Sequence, residues 1–455
     1  MKISVKSHKE ITSIEADGFD NLLSVLRYYG YSLNASCDGK GTCGNCKVIV
    51  DSRVVTACKT PVRDGMTVEL FQKKSSEIFS EISSEKEASA IIDIGTTTVK
   101  CALVSDGKII SLISEKNSQE SFGADVISRI SHGEGNDLAL MNSAIISQLN
   151  SMLKRLSENI KITDISIVGN TTMLHIFLNT PCKSMGVYPY TPAFIDEKSF
   201  DSAIETGLEF SVPLYILPSI SAFCGADIVA DISEYYTDSE DYTLLIDFGT
   251  NAEVALFNKD NIFVTSAAAG PAFECGNISC GMPSLDGAVC SYDIINSVPV
   301  INTINRKTPV GICASGLVDI VAQLLKNDII DKSGFLEKDF EISKNIFITQ
   351  ADVREFQLAK AAVEASVKIL SKKINSPIKK VCICGNLGKH LNIENAKFLR
   401  LIPDINDVVV SGNAPLFSLK NSDKKLWKKI AESAQYIDIS NDGDFEKIFE
   451  GSLDF

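Results

Sequence analysis

The chain has 455 residues, of which 45% are hydrophobic and 22% charged, a composition ordinary for a globular protein of two or three domains. Its formal charge of −14 argues against sequence-independent binding of nucleic acid. No run approaches the roughly 18–20 apolar residues of a membrane span, so we expect neither nucleic acid nor a membrane as a partner. The start, Met1-Lys-Ile-Ser-Val-Lys, lacks an apolar signal core, and 13 cysteines, mostly single in apolar contexts, fit a reducing compartment, so a cytoplasmic location is expected.

Residues 1–72 are predicted to form one small domain. Residues 2–6 and 10–15 alternate like a pair of strands, and residues 21–29 have the pattern of a short helix that ends at Gly30. Further short strands are predicted at 47–50, 54–57 and 66–71. A strand pair, a helix, a cysteine-rich loop and more strands in so short a stretch predict a β-grasp fold.

Four cysteines in this domain have the pattern of an iron–sulfur site: Cys37, Cys43, Cys46 and Cys58. Thiolates are the ligands of such clusters, and glycines at 39, 41 and 44 allow the loop to wrap a cluster and to point amides at its sulfurs. Five, two and eleven residues separate the cysteines, which differs from the plant-type ferredoxin spacing. Zinc is the alternative, but it favours two separated CxxC pairs or histidine partners, and only His8 is nearby. We therefore predict a [2Fe–2S] cluster.

A stretch rich in Ser, Glu and Lys, residues 73–88, is predicted to link this domain to a larger α/β region, residues 89–455. In that region the pattern Asp-hydrophobic-Gly-Thr occurs at Asp93 and again, 154 residues later, at Asp247. Each copy ends a predicted strand and precedes another. The repetition predicts a duplicated fold with lobes at about 89–240 and 241–455 and a site in the cleft between them.

The two repeats have the chemistry of phosphate-binding turns. Neither contains the lysine of a P-loop, so the site is of another type. An acidic residue at a strand end can hold Mg²⁺ through water, while glycine amides and threonine hydroxyls can bond phosphate oxygens. The nucleotide-binding candidates in these turns are Gly95, Thr96, Thr97, Thr98, Gly249, Thr250 and Asn251.

Two later glycine-rich turns are candidates for the nucleoside side of the same site. One precedes a helix predicted at 317–325, whose N-terminus can accept an anionic ligand. The other ends a strand predicted at 381–384 and can border an adenine or a ribose. Ordinary left-handed turns and close packing are the alternative for both. The residues concerned are Gly311, Ser315, Gly316, Gly385 and Gly388.

Together these motifs resemble the ASKHA superfamily of acetate and sugar kinases, chaperone ATPases and actin. More narrowly, the chain resembles the reductive activators of corrinoid proteins, to which residues 123–130, 169–173, 267–274 and 352–360 are also similar. The resemblance implies a β-grasp [2Fe–2S] ferredoxin followed by a duplicated RNase H-like (actin-like) ATPase domain, with Asn170, Thr171 and Gly270 also at the nucleotide. Two features depart from the family: no extra domain lies between ferredoxin and ATPase, and Cys275 stands where glycine is expected.

By this resemblance the protein would reactivate a corrinoid protein of a methyltransferase system whose cobalt has been oxidised to inactive Co(II). An external low-potential electron donor would load the cluster, and ATP with Mg²⁺ in the cleft would drive transfer of one electron that regenerates Co(I). Asp93 and Asp247 would position Mg²⁺ and water. Asp125 and Asp227 are further catalytic candidates, with helix capping as the alternative. The resemblance leaves a homodimer open.

Two other functions are weighed. An ATP-dependent activator of a radical dehydratase or reductase would use a [4Fe–4S] cluster held by cysteines inside the ATPase fold, and the four N-terminal cysteines argue against it. A redox sensor or assembly factor would bind ATP without turnover, and the presence of both acidic turns argues against it. On its charged tether, the ferredoxin domain is expected to swing between its reductant and its target.

Overall fold

The computed structural model describes residues 1–7, 10–31, 33, 35, 39–41, 44–71, 79–80, 86–123, 125–249, 251–388, 390–412, 414–421 and 423–455. The predicted cluster ligands Cys37 and Cys43, the predicted nucleotide residue Thr250 and most of the predicted linker lie outside these ranges. Nothing below bears on them, and they stay predictions.

The N-terminal domain is a five-stranded sheet with one helix packed on it. Its elements are β1 (Lys2–Ser7), β2 (Glu10–Glu15), α1 (Leu22–Tyr28), β3 (Lys47–Val50), β4 (Arg53–Thr56) and β5 (Thr67–Glu69). The strand order is β2-β1-β5-β3-β4, with β1 and β5 parallel and the other neighbours antiparallel. Helix α1 begins where the Asn21 side chain accepts a hydrogen bond from the Ser24 amide at 3.0 Å, and its apolar face covers the sheet. The predicted β-grasp pattern is confirmed.

The first lobe of the α/β region is built on a seven-stranded sheet. Its elements are β6 (Phe79–Ser80), β7 (Glu87–Ile94), β8 (Thr98–Ser105), β9 (Lys108–Lys116), α2 (Val126–Ser131), α3 (Gly135–Leu156), β10 (Lys161–Gly169), α4 (Thr171–Phe177), β11 (Lys198–Phe200), β12 (Leu214–Ile216) and α5 (Ala226–Tyr235). The strand order is β11-β12-β10-β7-β8-β9-β6. The predicted strands at 90–94, 99–104 and 165–168 lie inside β7, β8 and β10.

The second lobe is built on a six-stranded sheet with two smaller sheets beside it. Its strands are β13 (Tyr242–Phe248), β14 (Ala252–Phe257), β15 (Ile262–Ala267), β16 (Ala288–Ile295), β17 (Val298–Thr303), β18 (Gly311–Ile312), β19 (Phe340–Ser343), β20 (Ile346–Ile348), β21 (Ile378–Cys384), β22 (Asp407–Val410) and β23 (Ala434–Tyr436). Its helices are α6 (Ala314–Lys326), α7 (Gln350–Ser371), α8 (Gly385–Gly388), α9 (Ile393–Phe398), α10 (Ala414–Asn421), α11 (Lys424–Ser433) and α12 (Phe445–Glu450). The main sheet has the order β22-β21-β13-β14-β15-β23.

The two main sheets repeat one topology. In the first lobe β7, β8 and β9 form an antiparallel meander, and β10 pairs in parallel with β7. In the second lobe β13, β14 and β15 form the same meander, and β21 pairs in parallel with β13. The predicted duplication of an RNase H-like unit is therefore confirmed, and Asp93 and Asp247 occupy equivalent positions near the ends of the first meander strands.

Helix α5 lies where the two lobes meet. It contacts β10 of the first sheet and β13 and β14 of the second. The apolar core of the first lobe continues through this junction into residues of the second sheet, including Leu245, Ala255 and Cys384. Because the core is continuous, side chains that α5 directs toward the strand ends of both lobes are withdrawn from water. In the described part of the chain, no helix has the length and apolar character needed to cross a bilayer.

The N-terminal domain rests against the second lobe. Val54 of β4 is buried in an apolar cluster with Met282, Ala288 and Cys313 of the second lobe. The Lys47 ammonium, 9% exposed, donates to the carbonyl oxygen of Ile278 at 2.5 Å. This packed arrangement differs from the freely swinging domain that the tether composition predicted, because composition carries no information about contacts between domains.

Candidate functional site

Carboxylates from three elements approach one another at the cleft. Asp93 lies near the end of β7, Asp247 lies near the end of β13, and Asp227 lies in the first turn of α5. Each is close enough to influence the next: the charges of Asp247 and Asp93 both raise the pKa of Asp227, and that of Asp93 raises the pKa of Asp247. Asp93, Asp227 and Asp247, which the sequence predicts to be catalytic, thus lie close together in the fold.

Loss of contact with water dominates the electrostatics of these three groups. Burial raises the pKa of Asp227 to about 7 and that of Asp247 to about 6. It also raises the pKa of Asp93, against the opposing effect of Lys100, whose ammonium lies 3.6 Å from the Asp93 carboxylate. Lys100 follows the first turn on β8 and was not among the predicted residues. It supplies positive charge to a site with an excess of carboxylates.

Two more acidic side chains join this group. Asp231, one turn beyond Asp227 on α5, is fully buried, and neither of its carboxylate oxygens has a hydrogen-bond partner among the described residues. Burial raises its pKa well above the ordinary range, as it does for Glu253 on β14. Sequence reasoning missed both residues, although the i, i+4 spacing of Asp227 and Asp231 places them on one helix face and offered a signal.

The first turn, Gly95 to Thr98, is closed by its own backbone and braced by side chains from three later segments. The Gly95 amide donates to the Thr98 carbonyl oxygen at 3.1 Å. The Asn117 amide donates to the Gly95 carbonyl oxygen at 2.8 Å, and the Asn170 amide donates to the Thr96 hydroxyl at 2.9 Å. The turn that is predicted to receive phosphate is therefore preorganised. Of the bracing residues, sequence reasoning found Asn170 and missed Asn117.

Arg129 is the third brace and is fully buried. Its guanidinium donates to the Thr96 carbonyl oxygen at 2.7 Å and to the Gly123 carbonyl oxygen at 2.9 Å. Burial lowers its pKa to about 10, so the side chain keeps its charge at neutral pH. Arg129 lies inside the stretch 123–130 that carried the family resemblance, but no role had been predicted for it.

Asn170 and Thr171 begin α4 beside the first turn. The Asn170 carboxamide oxygen caps the helix by accepting from the Met173 amide at 3.0 Å, while the Thr171 hydroxyl donates to the Ser221 carbonyl oxygen at 2.6 Å. A Cβ at Gly225, just before α5, would lie 2.5 Å from the Asn170 Cα. Only glycine permits so close an approach of α5, which carries Asp227, to this turn.

The second turn is held by the strand that runs beside it. Gly249 donates its amide to the Asn251 carbonyl oxygen at 3.0 Å, and Phe248 forms a parallel bridge with Gly385. Gly385 has a φ of +83°, and a Cβ there would lie 2.6 Å from the Asp247 carboxylate. Gly385 is thus placed against Asp247, as expected for a residue that borders the site.

The other glycine-rich candidates are less directly connected to the acidic group. The Ser315 hydroxyl donates to the Cys290 carbonyl oxygen at 2.9 Å, and a Cβ at Gly316 would collide with the Val289 carbonyl. Both contacts pack α6 on β16, the alternative that the sequence left open. Gly311 pairs in β18, Gly388 ends α8, and Gly270 has a φ of +70° with open space at its Cβ position. Their nucleotide contacts stay predictions.

Asp125 has a structural role in this fold. Its carboxylate caps α2, accepting from the Ser128 amide at 2.8 Å and from the Ser128 hydroxyl at 2.7 Å. Helix capping was the alternative to catalysis for this residue. Both carboxylate oxygens are engaged by Ser128, so the structure gives no support to a catalytic role.

The two described cluster cysteines are neighbours. Cys46 is fully buried, and its sulfur accepts a hydrogen bond from the Cys58 amide at 3.3 Å. The loop glycines at 39, 41 and 44 have φ angles of 81°, 79° and 65°, a backbone that glycine adopts without strain. An amide donor to the Cys46 sulfur and glycines in the left-handed region suit a thiolate-bound cluster, so the described residues fit the predicted [2Fe–2S] group.

The buried carboxylates suit a Mg²⁺ ion that is bound through water molecules and nucleotide phosphates. In the described residues, no three His, Cys, Asp or Glu side chains converge closely enough to hold a metal by themselves. Burial nevertheless raises the pKa values of these carboxylates, and Lys100 is the cation that acts on Asp93 and Asp247 among the described residues. A hydrated Mg²⁺ that also binds nucleotide phosphates would relieve this excess of negative charge, as Mg²⁺ retains several waters in such sites.

The raised pKa of Asp227 predicts a pH dependence of stability in protein free of nucleotide and magnesium. Such an acid adds stability that is fully present below its unfolded pKa, near 3.8, and is lost as pH rises through its folded value of about 7. We expect the free energy of unfolding to fall as pH rises from about 4 to about 7 and to level off above that, and to fall less in Asp227→Asn. Among the described residues, the charged groups that interact with Asp227 are Asp93, Asp231, Asp247 and Glu253, and Lys100 acts on Asp93, Asp231 and Asp247.

Urea unfolding at several pH values measures this effect. Asp241→Asn is the matched control, because Asp241 is exposed just before β13. If Asp227→Asn and Asp241→Asn had the same pH profile as the unmodified protein, Asp227 would not be the buried acid that the geometry indicates.

Family models match three consecutive stretches of the chain. One described as the C-terminal domain of RACo, the ASKHA domain, matches residues 241–455, and one described as the RACo middle region matches residues 89–239. One described as a 2Fe-2S iron-sulfur cluster binding domain matches residues 13–73. The second match lies between the other two, on the stretch that we predicted to be the first lobe, so the expectation that this chain lacks the family's middle region is wrong.

Individual proteins are similar to the chain over most of its length. The corrinoid activation enzyme RamQ of Eubacterium limosum is 31% identical over 421 residues, which cover 81% of this chain and 70% of RamQ. A protein of Methanosarcina barkeri described as a [Co(II) methylated amine-specific corrinoid protein] reductase is 28% identical over 291 residues, 57% of this chain and 52% of its own length. A solved structure of a reductive activator for corrinoid, iron-sulfur protein matches with a TM-score of 0.71 and 25% identity, and covers 100% of this chain and 98% of that one.

Proposed function

This chain belongs to the family of reductive activators of corrinoid proteins, and from that membership we propose that it uses ATP to restore a corrinoid protein from Co(II) to Co(I). The observation that carries the proposal is the combination, in one chain, of a cysteine-loop domain with a two-lobed cleft lined by buried carboxylates. The described residues include two of the four cysteines, the first acidic turn, and the second acidic turn apart from Thr250.

The N-terminal domain would hold the electron donor. Cys37, Cys43, Cys46 and Cys58 are the proposed ligands, and a [2Fe–2S] cluster bound there supplies one electron at low potential. Burial of Cys46 and the hydrogen bond from the Cys58 amide would hold its sulfur in place and lessen its contact with water. The cobalt of the partner protein is the substrate of the reduction.

The cleft would bind Mg-ATP and act on water. We propose that the turn at Gly95 to Thr98, fixed by Asn117, Arg129 and Asn170, receives the phosphates. Asp93 and Asp247 would position hydrated Mg²⁺ and the attacking water, and the raised pKa of Asp247 suits a group that accepts a proton near neutral pH. Asp227 would hold a proton or a metal-bound water beside them.

The free energy of the electron transfer is the reason to couple the cluster domain to the ATP-binding cleft. Plant-type clusters have reduction potentials of about −400 mV. Reduction of Co(II) in corrinoid proteins is expected to need a donor of lower potential. A gap of about 100 mV for one electron corresponds to about 2.3 kcal/mol, which is a small part of the free energy that ATP hydrolysis makes available. Binding or hydrolysis of ATP would therefore suffice to make the transfer favourable.

We propose that each of three consecutive segments of the chain has its own role. Residues 1–72 would form the ferredoxin domain, residues 73–88 the linker, and residues 89–455 the ATPase, with lobes at about 89–240 and 241–455. The partners would be a corrinoid protein of a methyltransferase system and an external low-potential electron donor. A cytoplasmic location and a homodimer are compatible with this function.

The decisive experiment mixes the reduced protein with the Co(II) form of a corrinoid protein encoded beside it. Growth of the Co(I) absorption band is followed with Mg-ATP, with Mg-ADP and without nucleotide. We expect Co(I) to form at an appreciable rate only with Mg-ATP. Co(I) formation that ignores nucleotide would mean a simple electron carrier, and ATP binding with neither turnover nor Co(I) would mean a sensor. Either result would overturn the proposal.

A further inference from the structure

The N-terminal domain is attached to the second lobe through a lysine that follows a cluster cysteine. Lys47 comes directly after Cys46 at the start of β3, and its side chain leaves the domain and enters a turn of the second lobe. There its ammonium donates to the carbonyl oxygens of Ile278 and Ser279, at 2.5 and 3.3 Å. A buried lysine whose charge is received by backbone carbonyls is costly to withdraw once it is seated.

Weaker contacts surround this lysine. Val54 packs with Met282 in an apolar cluster to which Ile49 of β3 also contributes, and the Arg53 guanidinium donates to the Asn345 carboxamide oxygen at 2.8 Å. The glycine-rich loop itself takes part, because a Cβ at Gly44 would lie 2.6 Å from the Asn277 amide nitrogen. Gly44 and β3 therefore rest on the turn formed by residues 275–282.

The same turn is connected to the nucleotide side of the lobe. It continues a short 3₁₀ helix, Pro271–Glu274, in which Phe273 packs edge-on against Phe248 with ring centroids 5.3 Å apart. Phe248 is the last residue of β13 and lies between Asp247 and the second phosphate turn. That turn is thus in direct contact with residues 271–274 through Phe248 and Phe273.

A buried carboxylate fixes the far side of the turn. Asp352, fully buried at the start of α7, accepts from the Ser279 amide at 2.6 Å and from the Thr349 amide at 2.9 Å. The Ser279 carbonyl oxygen also accepts a hydrogen bond from the Lys47 ammonium, so the turn is held between α7 and the N-terminal domain. Its geometry then depends on three bodies: the phosphate turn, α7 and the cluster domain.

We infer that residues 271–282 couple nucleotide binding in the cleft to the docking of the cluster domain, and that Lys47 is the positioning residue at the cluster end of this connection. The inference rests on the proposed function only for the identity of the nucleotide site. Contiguity alone does not prove coupling, since a pathway must have two arrangements that both sites bias. The test therefore measures docking and nucleotide binding separately, without a corrinoid protein.

Hydrogen exchange of the full-length, cluster-loaded protein reports docking. In Lys47→Met we expect amides in 47–56 and 277–283 to exchange about 10-fold faster or more, because a charged hydrogen bond across the interface is lost. Lys59→Met is the matched control: Lys59 directly follows Cys58, as Lys47 follows Cys46, but it is exposed. The visible spectrum of the cluster, unchanged in both variants, ensures that the domain is intact. Equal exchange in Lys47→Met and unmodified protein would remove Lys47 from this role.

The nucleotide arm uses a non-hydrolysable ATP analogue with Mg²⁺. In the unmodified protein we expect the analogue to change exchange in 47–56 as well as in 271–282, and in Lys47→Met only in 271–282. Because coupling is reciprocal, Lys47→Met should also change the affinity for the analogue, by about 5-fold or more, whereas Lys59→Met should not. A response confined to 271–282 in the unmodified protein would overturn the coupling.

Two further outcomes keep the experiment conclusive. If Lys47→Met fails to retain the cluster, Arg53→Gln tests the same interface at an exposed position, with a smaller expected effect. If the analogue changes exchange nowhere, including 93–98 and 247–251, then the cleft does not bind nucleotide, and both the coupling and the proposed function fail. Loss of docking in Lys47→Met beside an unchanged affinity for the analogue would overturn the coupling and leave the proposed function untouched.

Discussion

A Cys46→Ser protein is expected to lose the visible absorption of its cluster and all reduction of Co(II), while it binds nucleotide like the unmodified protein. A serine oxygen is a harder and more basic ligand than thiolate, and it does not match the sulfur chemistry that iron–sulfur clusters require. Cys46 is also fully buried and receives the Cys58 amide, so the site cannot easily substitute a water or another side chain. Nucleotide binding should survive because the two acidic turns lie in the two lobes of residues 89–455, outside the N-terminal domain.

Absorbance and electron paramagnetic resonance of the purified protein measure cluster content, and titration with a nucleotide analogue measures the cleft. Cys290→Ser is the control, since Cys290 lies outside the four-cysteine pattern and is partly exposed in the second lobe, where its thiol donates to the Asn302 carbonyl oxygen at 3.5 Å and packs beside Val54 and Met282. Full cluster content in Cys46→Ser would exclude this cysteine from the ligand set.

Asp247→Asn should have the opposite effect, with the cluster retained and ATP-dependent Co(I) formation lowered about 10²–10³-fold. Asparagine keeps the shape of the side chain against Gly385, where space is limited, but removes the charge that would position Mg²⁺ and water. The substitution also removes one of the carboxylates that raise the pKa of Asp227, so the fold itself should be no less stable. The defect is therefore expected in catalysis and not in folding.

The rate of Co(I) formation with saturating Mg-ATP, compared with ATP hydrolysis, separates the two effects. Asp241→Asn, at the exposed opposite end of β13, is the control and should behave like the unmodified protein. Normal rates in Asp247→Asn would assign the central acidic role to another carboxylate, with Asp93 the next to test.

Much of the fold followed from patterns that the sequence states locally. The duplicated lobes could be predicted because each copy of Asp-hydrophobic-Gly-Thr sits at a sharp change from an apolar strand to a polar turn. The parallel placement of β10 beside β7, and of β21 beside β13, was not predicted, since pairing between strands about 70 or more residues apart depends on long-range packing. Element ends moved by a few residues where capping decided them, as at Asn21 before α1.

The residues of the site could be predicted where a local pattern marks them, and could not where their role depends on long-range contacts. Asp93, Asp227 and Asp247 carry a local signal, either a motif or a glycine just before the acid, and the fold brings them together. Arg129 acts by reaching back 33 residues to the Thr96 carbonyl oxygen, and nothing in its own neighbourhood indicates that target. Ser315 shows the reverse case, because its motif suggests a ligand while its hydroxyl is bound to the Cys290 carbonyl.

Cys46 and Lys47 are consecutive residues, and this has a kinetic consequence. A cluster ligand and the main anchor to the second lobe belong to one stretch of backbone that enters β3, so no hinge lies between them. The cluster cannot drift away from the lobe by gradual bending within its own domain. Release would require the lysine, the Arg53 contact and the apolar cluster to separate together, as a single activated event with one rate constant. Transfer that depends on release would then be limited, after ATP is added, by one first-order rate constant that does not change with the concentration of the corrinoid partner.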